Sequence, residues 1–106
     1  MAQPAPQPTI IAPGVSDVVN LTPAAVTKVS TIQTFSYSGA DPLANQEVNV
    51  SQFAWSAGAQ VQTAGITIGK AWVSAAGVVS MEIYNDWAIT GGGATPAAGY
   101  YGLIFN

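Results

Sequence analysis

Residues 66–84, ITIGKAWVSAAGVVSMEIY, decide the fold class of this chain. Ile66, Ile68, Lys70 and Trp72 fall on one parity, and Thr67, Gly69, Ala71 and Val73 on the other. Beyond Ser74–Gly77 the alternation resumes, with Val79, Met81 and Ile83 facing one way and Val78, Ser80, Glu82 and Tyr84 the other. Two period-two runs separated by a short Gly-bearing turn read as a β-hairpin, because successive strand side chains point to opposite faces.

The same period appears on both sides of this hairpin. Downstream, Tyr101, Leu103 and Phe105 alternate with Tyr100, Gly102 and Ile104. Upstream, Glu47 to Trp55 reads as a strand with Val48 and Val50 on one face. Phe53 and Trp55 fall on the opposite parity, which points to a bulge or bend near Ser51. Ala57 and Gly58 turn the chain into a short strand over 59–62. Further upstream, Gln33, Phe35 and Tyr37 oppose Ile32, Thr34 and Ser36, and Pro23 argues against a helix here. Asn85 and Asp86 read as a turn, Asn85 through its own side chain, and residues 87–90 as a short strand. Residues 39–46, 91–93 and 95–99 read as loops. Six to eight short strands with no helical period predict an all-β fold, a small β-sandwich of jelly-roll or immunoglobulin-like type. Alternation does not reveal strand order, so these two topologies stay open.

The chain of 106 residues suits one domain, expected over 15–106. Residues 1–14 read as an extended Pro-rich N-terminal arm, since Pro4, Pro6 and Pro8 alternate with small residues and Gln. A solvated tail has no use for Ile10 and Ile11. Pro8, Ile10, Ile11 and Pro13 are therefore the residues expected to grip a partner.

Hydrophobic residues make up 49% of the chain and charged residues only 7%, against about 25% in ordinary soluble domains. A surface this weakly charged invites association, and suits a protein covered by its neighbours. Several strands are apolar on both faces. One face can enter the core, and the other calls for a subunit interface. Net charge is −3, with Lys28 and Lys70 the only cations. Two cations cannot neutralise a phosphate backbone or dock on an anionic membrane, so neither nucleic acid nor membrane is an expected partner.

The chain lacks cysteine and histidine. Thiolate chemistry, His-based triads and the commonest metal ligand are thereby removed. The carboxylates are Asp17, Asp41, Glu47, Glu82 and Asp86. Glu82 and Asp86 are the nearest pair for glycoside hydrolysis, but read more simply as a strand-edge acid and a turn acid. Asp41 and Asp86 could hold calcium, yet no Asp-rich loop spacing surrounds them. Gly91–Gly93 has no following Lys to make a phosphate-cradling loop. The expectation is a non-enzymatic protein with no catalytic residues, metal or cofactor. The start, MAQPAPQP, lacks the charged and apolar regions of a secretory signal, so the expectation is a product used without general export.

The aromatic residues admit two readings. Trp55, Trp72, Trp87, Tyr84, Tyr100 and Tyr101 could stack on sugars, or they could fill the core and a subunit interface. The interface reading selects Trp72, Trp87, Tyr100 and Tyr101. Tyr100 and Tyr101 point to opposite faces of one strand, so both cannot serve one platform.

Residues 45–106 resemble a β-sandwich module of tailed-bacteriophage capsid decoration, or cement, proteins. The resemblance rests on Val48-Asn-Val, Gly65-Ile-Thr-Ile, the run from Ala71 to Ser80, Ile83-Tyr-Asn and Thr95-Pro-Ala-Ala-Gly-Tyr-Tyr. Trp72, Trp87 and Gly91–Gly93 depart from that pattern, and residues 1–44 lie outside it. The resemblance implies a homotrimer on the capsid exterior of a virion made in the host cytoplasm. Its implied role is to bind across joints of the major capsid protein and stabilise the phage head. The alternative expectation is a fibre, spike or adhesion module that binds host-surface glycans.

Overall fold

Strand formation follows the alternation closely. In a computed structural model, residues 16–37, 45–86 and 93–106 are described. They contain eight strands and no helix: β1 (Ser16–Leu21), β2 (Ser30–Ser36), β3 (Glu47–Val50), β4 (Ala54–Ser56), β5 (Ala59–Val61), β6 (Ile66–Ala75), β7 (Val78–Asn85) and β8 (Gly99–Phe105). Residues 1–14 and the short strand expected over 87–90 lie outside the described residues.

All pairings are antiparallel, and the strands join in one sheet of order β2-β7-β6-β3-β8-β4-β5, with β1 also on β8. Four pairings are nested: β1 with β8, β2 with β7, β3 with β6, and β4 with β5. This nesting rolls the sheet up on itself, with β6 also paired to β7 and β4 to β8.

The roll brings β2 against the β1–β8 layer. The Tyr37 and Phe105 rings stand 5.0 Å apart, and the Tyr37 hydroxyl donates to Asp17 Oδ2 at 2.6 Å. Gln33 Nε2 donates to the Ala24 carbonyl at 2.8 Å, while its Oε1 accepts from the Ala24 amide at 2.9 Å. Inside the roll lie Val48 and Val50, Ile68, Ala71 and Val73, Val79, Met81 and Ile83, and Tyr101, Leu103 and Phe105. The alternations read for β3, β7 and β8 therefore hold in three dimensions.

Two local readings are corrected. In β6, Ile68 pairs with Ile83 but Ala71 pairs with Met81, so an extra residue bulges at Gly69–Lys70. The bulge switches parity: Ile68 is buried before it, and Ala71 and Val73 after it. An added Cβ on Gly69 would lie 2.5 Å from Tyr84 Cε2, so the missing side chain makes room for the Tyr84 ring. Asn85, read as a turn residue, instead ends β7 with 1% exposure. Its Nδ2 donates to the buried Val26 carbonyl at 2.9 Å, and the turn falls on Asp86.

Candidate interaction face

The outer face of the β1–β8–β3/β4 layer is built by register. On β8 the even residues point outward, because Tyr101, Leu103 and Phe105 take the interior. Across the ladders, Ser16 and Asn49 flank Ile104. Val18 lies opposite Gly102, and Asn20 and Trp55 flank Tyr100. Val18, Ile104, Tyr100 and Trp55 are each about half exposed, at 58%, 46%, 52% and 50%. The residues between them are Ser, Asn and Gly, and none of these positions is charged; the outward charge of the layer is Glu47, on the same side of β3 as Asn49. Gly102 leaves a shallow groove between Val18, Ile104 and Ser51, and a second depression beside Tyr100 reaches Trp55 and Asn20.

The bend after β3 shapes one side of this face. Ser51 and Gly102 stitch it by two bonds: the Ser51 amide donates to the Gly102 carbonyl at 2.9 Å, and the Gly102 amide donates to Ser51 Oγ at 3.0 Å. The bend expected near Ser51 is present, but it does not swing the aromatics inward. Ala54 takes the buried position at 0%, while Phe53 and Trp55 stay outside. Gln52 completes the interrupted ladder with its side chain: Oε1 accepts from the Ile68 amide at 2.8 Å and Nε2 donates to the Ile68 carbonyl at 2.6 Å.

A second, polar depression lies elsewhere on the surface. Trp72 lines it with Asn45, Glu47, Lys70 and Glu82. Glu47 and Trp72 are direct cross-strand partners, which fixes their contact. The Tyr84 hydroxyl donates to Glu82, and this bond raises the Tyr84 pKa.

The residues selected from sequence therefore separate. Trp72 and Tyr100 are both surface-accessible but belong to different patches, since Trp72 pairs with Glu47 and Tyr100 with Trp55. Tyr101 is corrected: at 0% exposure it belongs to the core of this chain and offers no surface to a subunit interface. Its hydroxyl donates to the Ala97 carbonyl at 2.6 Å, and burial raises its pKa. Trp87 and the arm residues Pro8, Ile10, Ile11 and Pro13 lie outside the described residues. Val18, Ile104, Asn49 and Gly102 were missed as members of a common face. Their alternation placed them outward, but only cross-strand register sets them side by side. Glu82 and Asp86 do not form a described pair; Asp86 Oδ2 accepts from Thr67 Oγ1 at 3.4 Å. Among the described residues no group of three or more potential metal ligands is assembled.

Comparison with family models, curated proteins and solved structures returns no match for this chain.

Proposed function

We propose that this chain is a non-enzymatic structural protein of a tailed-phage virion, a capsid decoration protein that self-associates and clamps joints of the major capsid protein. One observation carries the reading: the uncharged patch of the outer face, bordered by Glu47 on β3, on which Val18, Ile104, Tyr100 and Trp55 stand about half exposed. An uncharged apolar face on a small domain marks an association surface, because covering it removes apolar area from water without desolvating charge. The resemblance of residues 45–106 to cement modules supplies the particle. Bound subunits stabilise the shell by mass action, since opening it requires their release, and repeated weak contacts add up through avidity.

Mass spectrometry of purified virions, calibrated against the major capsid protein, tests this reading together with mild heating. The expected result is on the order of hundreds of copies per particle, as repeated attachment to a shell requires. Heads lacking the protein should rupture at lower temperature. Val18→Asp and Ile104→Lys, both at exposed positions, should leave the fold intact and abolish occupancy. A few copies per particle and unchanged rupture would overturn the proposal. That outcome would favour an adhesion module binding host glycans. The observation on that side is the depression where Trp72 offers a ring beside Glu47, Lys70 and Glu82, groups that can bond hydroxyls.

A further inference from the structure

The roll has three free strand edges among the described residues, on β1, β2 and β5. β5 has only three residues, and β1 carries Asp17, a charge of the kind that discourages edge pairing. β2 is different. Its seven residues, STIQTFS, contain no charge and no proline, and Ile32 is 59% exposed.

Backbone register fixes which groups of β2 lack a partner. The Tyr37 amide donates to the Gly77 carbonyl, and the Asn85 amide donates to the Val29 carbonyl, both at 2.9 Å. Odd-numbered residues thus bond towards β7. In an antiparallel ladder the alternate residues turn their N–H and C=O groups away, so Ser30, Ile32, Thr34 and Ser36 present theirs at the free edge. Such a row is satisfied by an added strand.

We propose that β2 is the docking edge for a second copy of this chain, joined antiparallel about a two-fold axis through Gln33. An isologous contact asks the strand to complement itself. In this register Ile32 pairs with Thr34 of the second copy, and Ser30 with its Ser36. Uncharged residues oppose uncharged residues throughout. The two Ile32 side chains sit diagonally across the axis on the outward face, within mutual reach, and each covers the other. Charge agrees at the ends. Lys28 of one copy falls at the end of β2 where Tyr37 holds the Asp17 carboxylate of the other. The contact does not involve Val18, Ile104, Tyr100 or Trp55, although Ile32 pairs with Glu82 at the edge of the Trp72 depression, so it stands apart from the capsid reading and is tested on purified protein alone.

Thr34→Pro is the decisive variant. The Thr34 amide faces the edge, so proline removes no bond of the β2–β7 ladder while it blocks an added strand. Light scattering should give the wild type twice the mass of Thr34→Pro, and Ile32→Lys should match the proline variant. Should Thr34→Pro fail to fold, Ile32→Lys decides. Hydrogen exchange adds a register-specific readout. The Ile32 and Thr34 amides should gain protection as protein concentration rises, while the Thr31 and Gln33 amides stay protected throughout. Equal masses for wild type and both variants, or concentration-independent exchange at Ile32, would overturn the proposal. So would a mass halved by deleting residues 1–14 but unaffected by Thr34→Pro, which would place the contact in the arm.

Discussion

Two glutamines do much of the work of joining separate segments. Gln52 bonds both backbone groups of Ile68, and Ile68 is buried at 3%. Gln62 reaches the Gln52 carbonyl with Nε2 at 2.9 Å, and its Oε1 accepts from the Ala97 amide at 2.8 Å. A β-sheet can break its ladder at a bend only if the freed backbone groups find other partners. Here an amide side chain, carrying both donor and acceptor, imitates a peptide group. Gln52→Ala is expected to leave the Ile68 amide and carbonyl without these bonds and cost about 1–3 kcal/mol. Urea unfolding would show this as a lower midpoint at unchanged slope. Gln52→Glu, which keeps the acceptor and loses the donor, should recover part of it.

Among the elements, β8 is the axis of the roll, bordered by β1 on one side and by β3 and β4 on the other. Its first residue limits how closely β4 can approach. Gly99 has φ 151°, and a Cβ added there would stand 2.6 Å from the Trp55 carbonyl oxygen. Backbone cannot yield as a flexible side chain can, so Gly99→Ala should destabilise the fold by about 1–3 kcal/mol, the scale of local backbone strain. The Trp55–Tyr100 pair would separate, and quenching or shift of Trp fluorescence reports it before global unfolding. Alternation predicted β8 well because a central strand has one interior and one exterior. It predicted β6 only in part. The extra residue at Gly69–Lys70 inverts the pattern, and Lys70, Trp72 and Ile66 gave no sign of it, since each tolerates a half-buried position.

For the whole molecule, the closure of the roll depends on a titratable contact. The hydrogen bond from Tyr37 lowers the Asp17 pKa from its usual 3.8, and the same bond pushes Tyr37 up to about 12 from 10.0. A depressed carboxylate contributes stability that is present above its unfolded value and lost as pH falls through the folded one. A raised phenol contributes stability that is complete below 10.0 and lost as pH climbs towards about 12. Chemical denaturation should therefore give a flat stability plateau between about pH 5 and 9, with losses at both ends. Tyr37→Phe should lower the plateau and remove most of the acid loss. Part of the alkaline loss should remain, because the buried Tyr101 hydroxyl also resists ionisation. An unchanged acid limb would show that Asp17 draws its shift from elsewhere.

The sequence by itself determined that this chain is built of short strands, where most of them run, and which residues share a face in β2, β3, β7 and β8. Local alternation encodes these because a strand reports its two faces within a few residues. It also determined that common His- and Cys-based chemistry is absent. Only the tertiary structure decided the strand order, since pairing Ser16 with Ile104 joins residues at opposite ends of the described chain. It also assigned Tyr101 to the core and left Tyr100 outside, where alternation alone named two faces without saying which was interior. The uncharged patch arose in the same way. Val18, Trp55, Tyr100 and Ile104 come from three separate stretches of sequence, and long-range register alone makes them neighbours.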